Sequence, residues 1–383
     1  MNEKVLYFAN LLASRWVNAL GLGQGRLKSG LSSSVKVDTS AAGEIHSVVA
    51  MKFYIQSILV VKWDEIGDMA AAVHVFGILK SAYPDAKLTV LCKPFVASLI
   101  AGDPAVDAVI TGIEDWRERY DVVVELRGTW KTLWKSLALR TMPKYRVDRG
   151  WVRFLQRGNQ PHEVVTNYRV IEPLLNGSES VSEALPSLST LVSKRKLFPS
   201  EAEVKEAQEW IESVCDEYES LKGYAILHTG ARRQLRRWPV ARYVALSEWL
   251  YREKRLLPVW VGTAEEEAQL DEAFAMGALG EKWVAPAGSS LLSFYVFIAS
   301  SKLYIGNESG PLQLADIACV PLVAIYGPGV PNVFYPLSSR SRVLHEVLDC
   351  NPCDQVRCVR PSDRCIDRIG LGAVQLAVDG VLP

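Results

Sequence analysis

The arrangement of apolar runs limits this chain to a small set of folds. Residues 57–62 (SILVVK) and 224–229 (YAILHT) are short runs of mostly apolar side chains, and a segment of helical character follows each. Consecutive apolar residues are typical of strands in a parallel sheet that is covered on both faces. The alternation of strand and helix therefore predicts an α/β fold with right-handed crossovers in both halves of the chain.

This alternation continues through most of the sequence. We predict strands at 57–62, 88–92, 108–110, 121–126, 224–229, 256–261, 282–285, 303–305 and 323–326. We predict helices at 69–82, 94–101, 129–140, 201–219, 239–253, 264–276, 289–299 and 370–379. Because 383 residues exceed a typical single core, the two series predict two domains, and the cleft between them is a usual place for a ligand.

Four regions divide the chain. Residues 1–50 combine an amphipathic helical pattern with a linker rich in Gly and Ser, so this extension is expected to pack on the protein itself, on a partner or on a membrane. The two α/β domains are predicted at 51–195 and 196–345. A cysteine-rich tail that ends in a short helix is predicted at 346–383.

Charge and hydropathy argue against several classes of protein. The 43 basic and 43 acidic residues cancel, which argues against a general nucleic-acid binder. No run approaches the ~20 apolar residues of a membrane-spanning helix, and the first apolar stretch is too short and interrupted for a secretory signal. We therefore expect a cytoplasmic protein and leave open a peripheral contact with the inner membrane.

A local basic patch breaks this balance. Residues 127–157 contain nine Lys or Arg residues and a single acid, Asp148. Such a patch is compatible with an anionic acceptor, with a membrane surface or with a solvated helix face. Arg127 and Lys131 are the candidate acceptor-binding residues within it.

Residues 302–328 (KLYIGNESGPLQLADIACVPLVAIYGP) predict a strand, a polar turn, a short helix and a second strand. The small residues of the turn leave the free N–H groups of the next helix facing outward, where a diphosphate could sit. An ordinary capped turn explains the same spacing.

Two further groups of polar residues follow strands of the second half. In 228–239 (HTGARRQLRRWP), four arginines occur within six residues. Because an arginine fork binds phosphate in bidentate fashion, this segment predicts a diphosphate clamp, with an exposed basic loop as the alternative. Glu266 follows the next strand and is a candidate for ribose hydroxyls, although it also suits the first turn of a helix.

Three acids, Asp64, Glu65 and Asp68, follow the first strand. Asp68 lies directly before the predicted helix, so it is compatible with a simple N-cap. The functional alternative is a carboxylate at the carboxyl edge of the sheet that takes a proton from an acceptor hydroxyl.

The tail carries four cysteines, Cys350, Cys353, Cys358 and Cys365, within sixteen residues. Thiolates are soft ligands that select zinc or iron, so the group predicts a structural metal site. The spacing is not that of a standard zinc ribbon, and disulfides or inert thiols remain open.

Several of these segments together resemble a known family. KWDEIGD (62–68), ELRG (125–128), HTGARRQLRRWP (228–239), GNESGPLQLADIACVPLVAIYGP (306–328) and the cysteine-bearing tail resemble the ADP-heptose:lipopolysaccharide heptosyltransferase family, glycosyltransferase family nine. The resemblance covers about residues 55–380. It implies a GT-B fold, in which two Rossmann-like domains face each other across a cleft. It also implies an inverting transfer without a catalytic metal, which agrees with the absence of any Asp-x-Asp pair.

The resemblance also assigns residues. Asp68 matches the family's acid in the Gly-Asp motif, the expected general base, and Arg236, with Arg237 beside it, matches the cation that binds donor phosphate. Residues 308–310 match the Asp-Ser/Thr-Gly segment that lies against the donor. This chain has Glu308 where Asp is usual, and Gln313, which cannot carry a proton, where His is common. The predicted donor-binding set is Thr229, Arg236, Arg237, Glu266, Asn307, Glu308, Ser309, Gly310 and Gln313.

The expected reaction is heptose transfer from ADP-heptose to a hydroxyl of a saccharide such as the lipopolysaccharide core, with no cofactor required for catalysis. The expected partners are a nucleotide-sugar donor and an anionic or lipid-linked acceptor, not nucleic acid. The alternatives are another donor, a protein or small-molecule acceptor, an epimerase of the same fold, and a non-catalytic nucleotide-binding member. No oligomeric state is predicted.

Overall fold

The computed structural model describes residues 55–127, 131, 132, 134, 145–149, 161–175, 186–215, 218, 220–329, 331–351, 353 and 355–382. The predicted extension at 1–50 and most of the predicted helix at 129–140 lie outside these residues. The described residues form two separate sheets, and every strand pair in them is parallel. The predicted α/β class with two parallel sheets is therefore confirmed.

The first sheet has its earliest strand at the centre. Its strands are β1 (Ser57–Lys62), β2 (Lys87–Cys92), β3 (Ala108–Ile110), β4 (Val122–Glu125) and β5 (Tyr145–Asp148). Their order across the sheet is β3-β2-β1-β4-β5. The strand order therefore reverses at β1: β2 and β3 lie on one side of it, and β4 and β5 lie on the other. A crevice forms outside the carboxyl ends of β1 and β4.

The second sheet repeats this plan. Its strands are β6 (Tyr224–His228), β7 (Leu257–Gly262), β8 (Glu281–Val284), β9 (Leu303–Asn307), β10 (Leu322–Tyr326) and β11 (Ser341–His345). Their order is β11-β10-β9-β6-β7-β8, which puts the reversal between β6 and β9. The segments after these two strands are the arginine-rich loop and the turn before residue 310, so both lie at the crevice.

Helices cover the sheets. They are α1 (Ile66–Ala70), α2 (His74–Ala82), α3 (Glu163–Leu175), α4 (Leu188–Ser193), α5 (Glu201–Cys215), α6 (Val240–Trp249), α7 (Glu267–Ala275), α8 (Leu291–Ala299), α9 (Gly310–Ile317), α10 (Pro331–Phe334) and α11 (Leu371–Asp379). No helix in the described ranges is both long and apolar enough to cross a membrane.

Three helix predictions differ from the structure. The single helix predicted at 69–82 is divided into α1 and α2 by a turn, and the helix predicted at 94–101 is a 3-10 segment, Pro94–Leu99. The helix predicted at 239–253 ends as an α-helix at Trp249 and continues as a π-helical turn, Leu250–Lys254. In each case the apolar spacing is right, but it does not specify the hydrogen-bond pattern of the backbone.

The two α/β units meet where α1 packs against α9. A Cβ added to Gly310 would lie 2.9 Å from Ile66 Cβ and 3.5 Å from the Gly67 nitrogen, so only a glycine permits this approach. Further contacts join the same two units. Arg195 Nη2 donates to buried Asp316 Oδ2 at 2.7 Å, and the His162 ring lies 2.9 Å from the Tyr335 carbonyl oxygen.

Candidate active site

Asp68 lies in α1, immediately beyond the carboxyl end of β1 and beside the start of α9. Its neighbour Gly67 is close to both Gly310 and Gln313, because a Cβ added to Gly67 would lie 3.6 Å from Gly310 Cα and 3.3 Å from Gln313 Cγ. The predicted acid and the predicted anion-binding turn, which are far apart in sequence, are therefore adjacent. Asp68 is not the N-cap of α1, since Glu65 holds that position.

A buried set of charges surrounds this end of β1. Lys62 Nζ lies 2.8 Å from Asp64 Oδ2 and 3.9 Å from Glu163 Oε1. Arg127 forms a second ion pair with Asp64, and Arg149 Nη2 donates to Glu163 Oε2 at 2.5 Å. Three cations thus face two carboxylates at this end of β1.

This environment shifts the pKa values of Asp64 and Asp68 in opposite directions. Burial opposes ionisation of Asp64, but Lys62 and Arg127 outweigh it and hold its pKa below the usual range. Burial raises the pKa of Asp68, the negative charge of Asp64 raises it further, and Lys62 only partly compensates. Within the described residues, no hydrogen bond or ion pair engages the Asp68 side chain, so it has the raised pKa and the free oxygens of a candidate general base.

The turn between β9 and α9 presents an uncapped helix start. Ser309 is the N-cap residue of α9, yet its side chain makes no capping hydrogen bond. Its hydroxyl instead lies 3.3 Å from Nδ1 of buried His228, the last residue of β6. Burial lowers the pKa of His228, which favours the neutral imidazole. The first N–H groups of α9 are therefore not occupied by a side-chain cap, as an anion site requires.

Asn307 braces the arginine-rich loop. Its Nδ2 donates to the Thr229 carbonyl oxygen at 2.7 Å, and its Oδ1 accepts from the Trp238 backbone N–H at 3.0 Å. The Asn307 side-chain amide is thus hydrogen-bonded to both ends of the arginine-rich loop. Asn307 therefore supports the loop, and Thr229, at the start of the loop, is buried.

Two arginines of the loop have fixed positions. Arg236 Nη1 lies 3.1 Å from Glu308 Oε1, and its Nε donates to Gln355 Oε1 at 2.5 Å. Arg237 donates through Nε to the Ala231 carbonyl oxygen at 3.0 Å and through Nη1 to Gln269 at 3.1 Å. The alternative of an exposed basic loop does not describe Arg236 and Arg237, since both are half-buried and hydrogen-bonded.

Glu308 is more buried than its position in a turn suggests. A Cβ added to Gly329 would lie 2.0 Å from Glu308 Oε2, so the carboxylate rests against the backbone of Gly329. Burial raises the pKa of Glu308, and Arg236 partly offsets this effect. The longer side chain, compared with the usual Asp, thus reaches both Arg236 and the loop after β10.

Glu266 lies over the end of β6. A Cβ added to Gly230 would be 1.8 Å from Glu266 Oε1, and Glu266 Oε2 accepts from the Thr263 backbone N–H at 3.1 Å. The carboxylate therefore lies between the segments that follow β6 and β7. Its neighbour Glu267 points elsewhere, since it pairs with Lys282.

Gln313 lies at the interface between the two α/β units, next to Gly67. Its Nε2 donates to the Phe334 carbonyl oxygen at 2.7 Å, and its Oε1 is buried without a hydrogen-bond partner in the described residues. A neutral amide is compatible with this position, whereas a second charge would add to the buried charges already there.

The predicted acceptor residues lie on the first unit. Lys131 lines an open cleft of about 750 Å³ with Trp63, Glu114 and Trp134. Arg127 is bound to Asp64 and is half exposed. Another member of the predicted basic patch, Arg149, is buried and paired with Glu163, so the prediction of a surface patch is wrong for this residue.

The four tail cysteines lie around one small cavity. All four are free thiols that line one cavity of about 20 Å³. Two of their sulfurs accept backbone hydrogen bonds: Cys353 Sγ from Gln355 N–H and Cys358 Sγ from Arg360 N–H, both at 3.4 Å. Nowhere in the described residues are three His, Cys, Asp or Glu side chains placed to hold a metal ion. The predicted structural zinc or iron site is therefore not supported.

Sequence reasoning missed Lys62, Glu163 and Gln355, and it placed Arg149 in a surface patch instead of at the site. Lys62 did carry a signal, because a lysine that ends an otherwise apolar, fully buried strand needs a charged partner. The other three contact the site from distant parts of the chain, and nothing in their local sequence indicates it.

The chain is similar in sequence to proteins of one family. The sequence model of glycosyltransferase family 9 (heptosyltransferase) matches residues 115–362. Lipopolysaccharide heptosyltransferase 2 of Salmonella typhimurium is 24% identical over 315 residues, which are 75% of this chain and 87% of that protein.

Solved structures show the same fold. E. coli ADP-heptose lps heptosyltransferase II aligns with a TM-score of 0.63 at 20% identity, over 85% of this chain and 98% of its own. The E. coli heptosyltransferase WaaC with ADP-2-deoxy-2-fluoro heptose aligns with a TM-score of 0.55 at 18% identity, over 85% of this chain and 99% of its own. The predicted GT-B arrangement and the predicted enzyme class are thus confirmed, and this chain belongs to glycosyltransferase family 9, the heptosyltransferases.

Proposed function

We propose that this protein is an inverting heptosyltransferase that moves heptose from ADP-heptose to a hydroxyl of a lipopolysaccharide-core saccharide. One observation carries the proposal. Asp68, a carboxylate with a raised pKa and no partner in the described residues, lies on the helix that packs against the uncapped start of α9. A proton acceptor and an anion-binding helix terminus therefore face one cleft.

The proposed reaction is a single displacement. Asp68 takes the proton of the acceptor hydroxyl while that oxygen attacks the anomeric carbon of the donor. The bond from this carbon to the diphosphate oxygen breaks, and its electron pair leaves with the diphosphate. The N–H groups at the start of α9 and the Arg236 guanidinium stabilise the charge that develops there. Attack opposite to the leaving group inverts the anomeric centre.

The proposed donor site lies on the second unit. Arg236 and Arg237 contact the diphosphate, residues 308–310 lie against it, and Glu266 accepts from the ribose hydroxyls. Support for ADP-heptose comes from the WaaC relative, which was solved with an ADP-2-deoxy-2-fluoro heptose. Because arginines and helix N–H groups supply positive charge, the proposed leaving-group stabilisation uses no metal.

The proposed acceptor site is the open cleft at the edge of the first sheet. Trp63 and Trp134 offer flat apolar faces, and Lys131 offers a positive charge, which suits a saccharide that bears an anionic group. Trp134 is 63% exposed, as an aromatic platform must be to receive a sugar ring. The name of the Salmonella relative supports a lipopolysaccharide acceptor.

A cytoplasmic location with peripheral membrane contact through residues 1–50 is proposed from the sequence pattern alone. Sedimentation with anionic liposomes tests the membrane contact. The full chain should pellet with the vesicles and a chain lacking residues 1–45 should not. Equal sedimentation of the two would refute the contact.

The decisive experiment is Asp68→Asn, with Asp85→Asn at an exposed position as the matched control. Transfer from ADP-heptose should fall by at least ~10²-fold in the first variant and stay unchanged in the control, since general base catalysis typically supplies ~10²–10⁴ in rate. ADP affinity should be equal in all three proteins. Near-normal turnover of Asp68→Asn would refute the base assignment.

A screen of nucleotide sugars tests the proposed donor. ADP-heptose, other ADP-sugars and UDP-sugars are offered with a deacylated lipopolysaccharide-core acceptor, and both transfer and donor hydrolysis are measured. We expect transfer from ADP-heptose only. Faster transfer from a UDP-sugar would overturn the donor, and binding without transfer or hydrolysis would identify a non-catalytic family member.

A further inference from the structure

The cysteine-lined tail packs directly behind the arginine-rich loop. The Ile369 carbonyl oxygen accepts from Trp238 Nε1 at 2.8 Å and from Arg242 Nη1 at 2.7 Å. Leu235 forms part of the wall of the cavity that the four cysteines line. A further hydrogen bond joins the tail to Arg236 of the loop, since the Arg236 guanidinium donates to Gln355 of the tail.

The guanidinium of Arg236 is held from two sides. Its Nε bonds Gln355 Oε1 at 2.5 Å, and its Nη1 pairs with Glu308 Oε1 at 3.1 Å. Its Nη2 has no partner in the part of the chain that the structure describes, and about a quarter of the side chain (26%) is exposed. The two contacts therefore fix the plane of the guanidinium and leave one of its edges for an oxyanion.

Gln355 is itself fixed in place. Its backbone has a left-handed conformation with φ of 61°, which is uncommon for a residue with a side chain. The Gln355 N–H donates to Cys353 Sγ at 3.4 Å, which keeps the backbone in this conformation. The amide is thereby directed at Arg236, 119 positions earlier in the chain.

We propose that Gln355 is a positioning residue for donor binding: it orients Arg236 so that the free edge of the guanidinium meets the donor diphosphate. The tail is then a functional part of the donor site. This inference rests on the proposed function, because it takes Arg236 as a diphosphate ligand. An unheld arginine would have to lose its rotamer freedom on binding, and a prepositioned one does not.

The test uses Gln355→Met in the full chain. Methionine keeps the length and packing of glutamine but lacks the acceptor oxygen, so an effect of packing alone would not appear. We expect the Kd for ADP, measured by calorimetry, to rise about five- to tenfold, because only part of the strength of a hydrogen bond to a charged group acts on binding. Arg360→Gln, which breaks the exposed pair with Asp349 on the same tail, is the control and should leave the Kd unchanged.

A double-mutant cycle completes the test. In an Arg236→Ala background, Gln355→Met should have no further effect on the Kd for ADP, because its effect passes through Arg236. An unchanged Kd in Gln355→Met, a Kd raised equally by Arg360→Gln, or a loss that persists without Arg236 would each overturn the inference. If the unmodified protein bound no ADP, the donor proposal itself would fail, which is a separate outcome.

Discussion

Lys62 Nζ lies 2.8 Å from Asp64 Oδ2, and both side chains are completely buried at the end of β1. Two charges are seldom removed from water in this way, because desolvation costs several kcal/mol for each ion. Here the pair sets the electrostatic surroundings of Asp68, the negative charge of Asp64 raising its pKa and the ammonium of Lys62 lowering it. Stability and the proposed proton transfer therefore depend on the same buried charges.

Breaking this pair should be costly. We expect Lys62→Met to lower the free energy of unfolding by about 3–5 kcal/mol, because Asp64 and Glu163 lose a buried cation. Lys80→Met is the matched control, since Lys80 also lies 2.8 Å from its aspartate, Asp107, but at a partly exposed position. It should cost at most ~1 kcal/mol in urea unfolding. Equal losses would contradict the account.

The pH dependence of transfer should report the raised pKa of Asp68. The base acts when ionised, so kcat/KM should decline on acidification at a pH above the ordinary aspartate value of about 3.9. Asp64→Asn removes a negative charge that raises this pKa, so the acid limb should move to lower pH. Asp107→Asn, far from Asp68 in the first sheet, should leave the limb in place. A limb at or below the ordinary value, or an upward shift in Asp64→Asn, would disprove this explanation.

The glycine at the start of α9 should be intolerant of a side chain. Gly310→Ala places a Cβ 2.9 Å from Ile66 Cβ, so α1 and α9 must move apart. We expect a loss of about 1–3 kcal/mol in stability and at least ~10-fold in kcat, because small displacements of catalytic groups are costly. Gly77→Ala, an exposed position in α2 with nothing within 4 Å of the added Cβ, should instead stabilise by about 0.5–1 kcal/mol. Similar effects of the two changes would argue against a close contact.

Two buried histidines should make the protein acid-sensitive. Burial lowers the pKa of His74 to about 3 and that of His162 to about 4, well below the ~6.5 of an unfolded chain. Between these values the unfolded state binds more protons, so the free energy of unfolding falls as pH drops below about 6.5, by up to ~1.4 kcal/mol per pH unit for each group. The contribution of His162 should level off near pH 4.

His162→Gln tests this sign. Its unfolding free energy, measured in urea from pH 4.5 to 7, should vary less steeply with pH than that of the unmodified protein. The exposed change Asp85→Asn should not flatten the slope in this way. A slope unchanged in His162→Gln would show that this histidine is not the source.

The strands were predictable because burial on both faces leaves a visible apolar run. Eight of the nine predicted strands agree closely with β1–β4 and β6–β9, and the ninth falls within β10. The edge strands β5 (YRVD) and β11 (SRVLH) were missed because an edge position tolerates charged residues. The division between α1 and α2 was missed for another reason: residues 71–73 carry neither Gly nor Pro to mark a break.

The site was predictable only where it is local. Asp68, the arginine-rich loop and residues 307–310 each follow a strand, so the rule that ligands gather at carboxyl ends placed them together. Their partners come from elsewhere. Glu163 lies in α3, and Gln355 lies 119 positions after Arg236. Contacts of this kind come from tertiary packing, which a single sequence does not display.

The glycine contact between α1 and α9 determines how closely the two halves of the site approach each other. Gly67 and Gly310 meet backbone to backbone, with no rotamer to choose between them. The approach of the two halves at this point is therefore limited by the two main chains and by the Ile66 and Gln313 side chains beside them. Because Asp68 follows Gly67 and α9 begins at Gly310, any change in that distance moves the proposed base relative to the proposed anion-binding helix start.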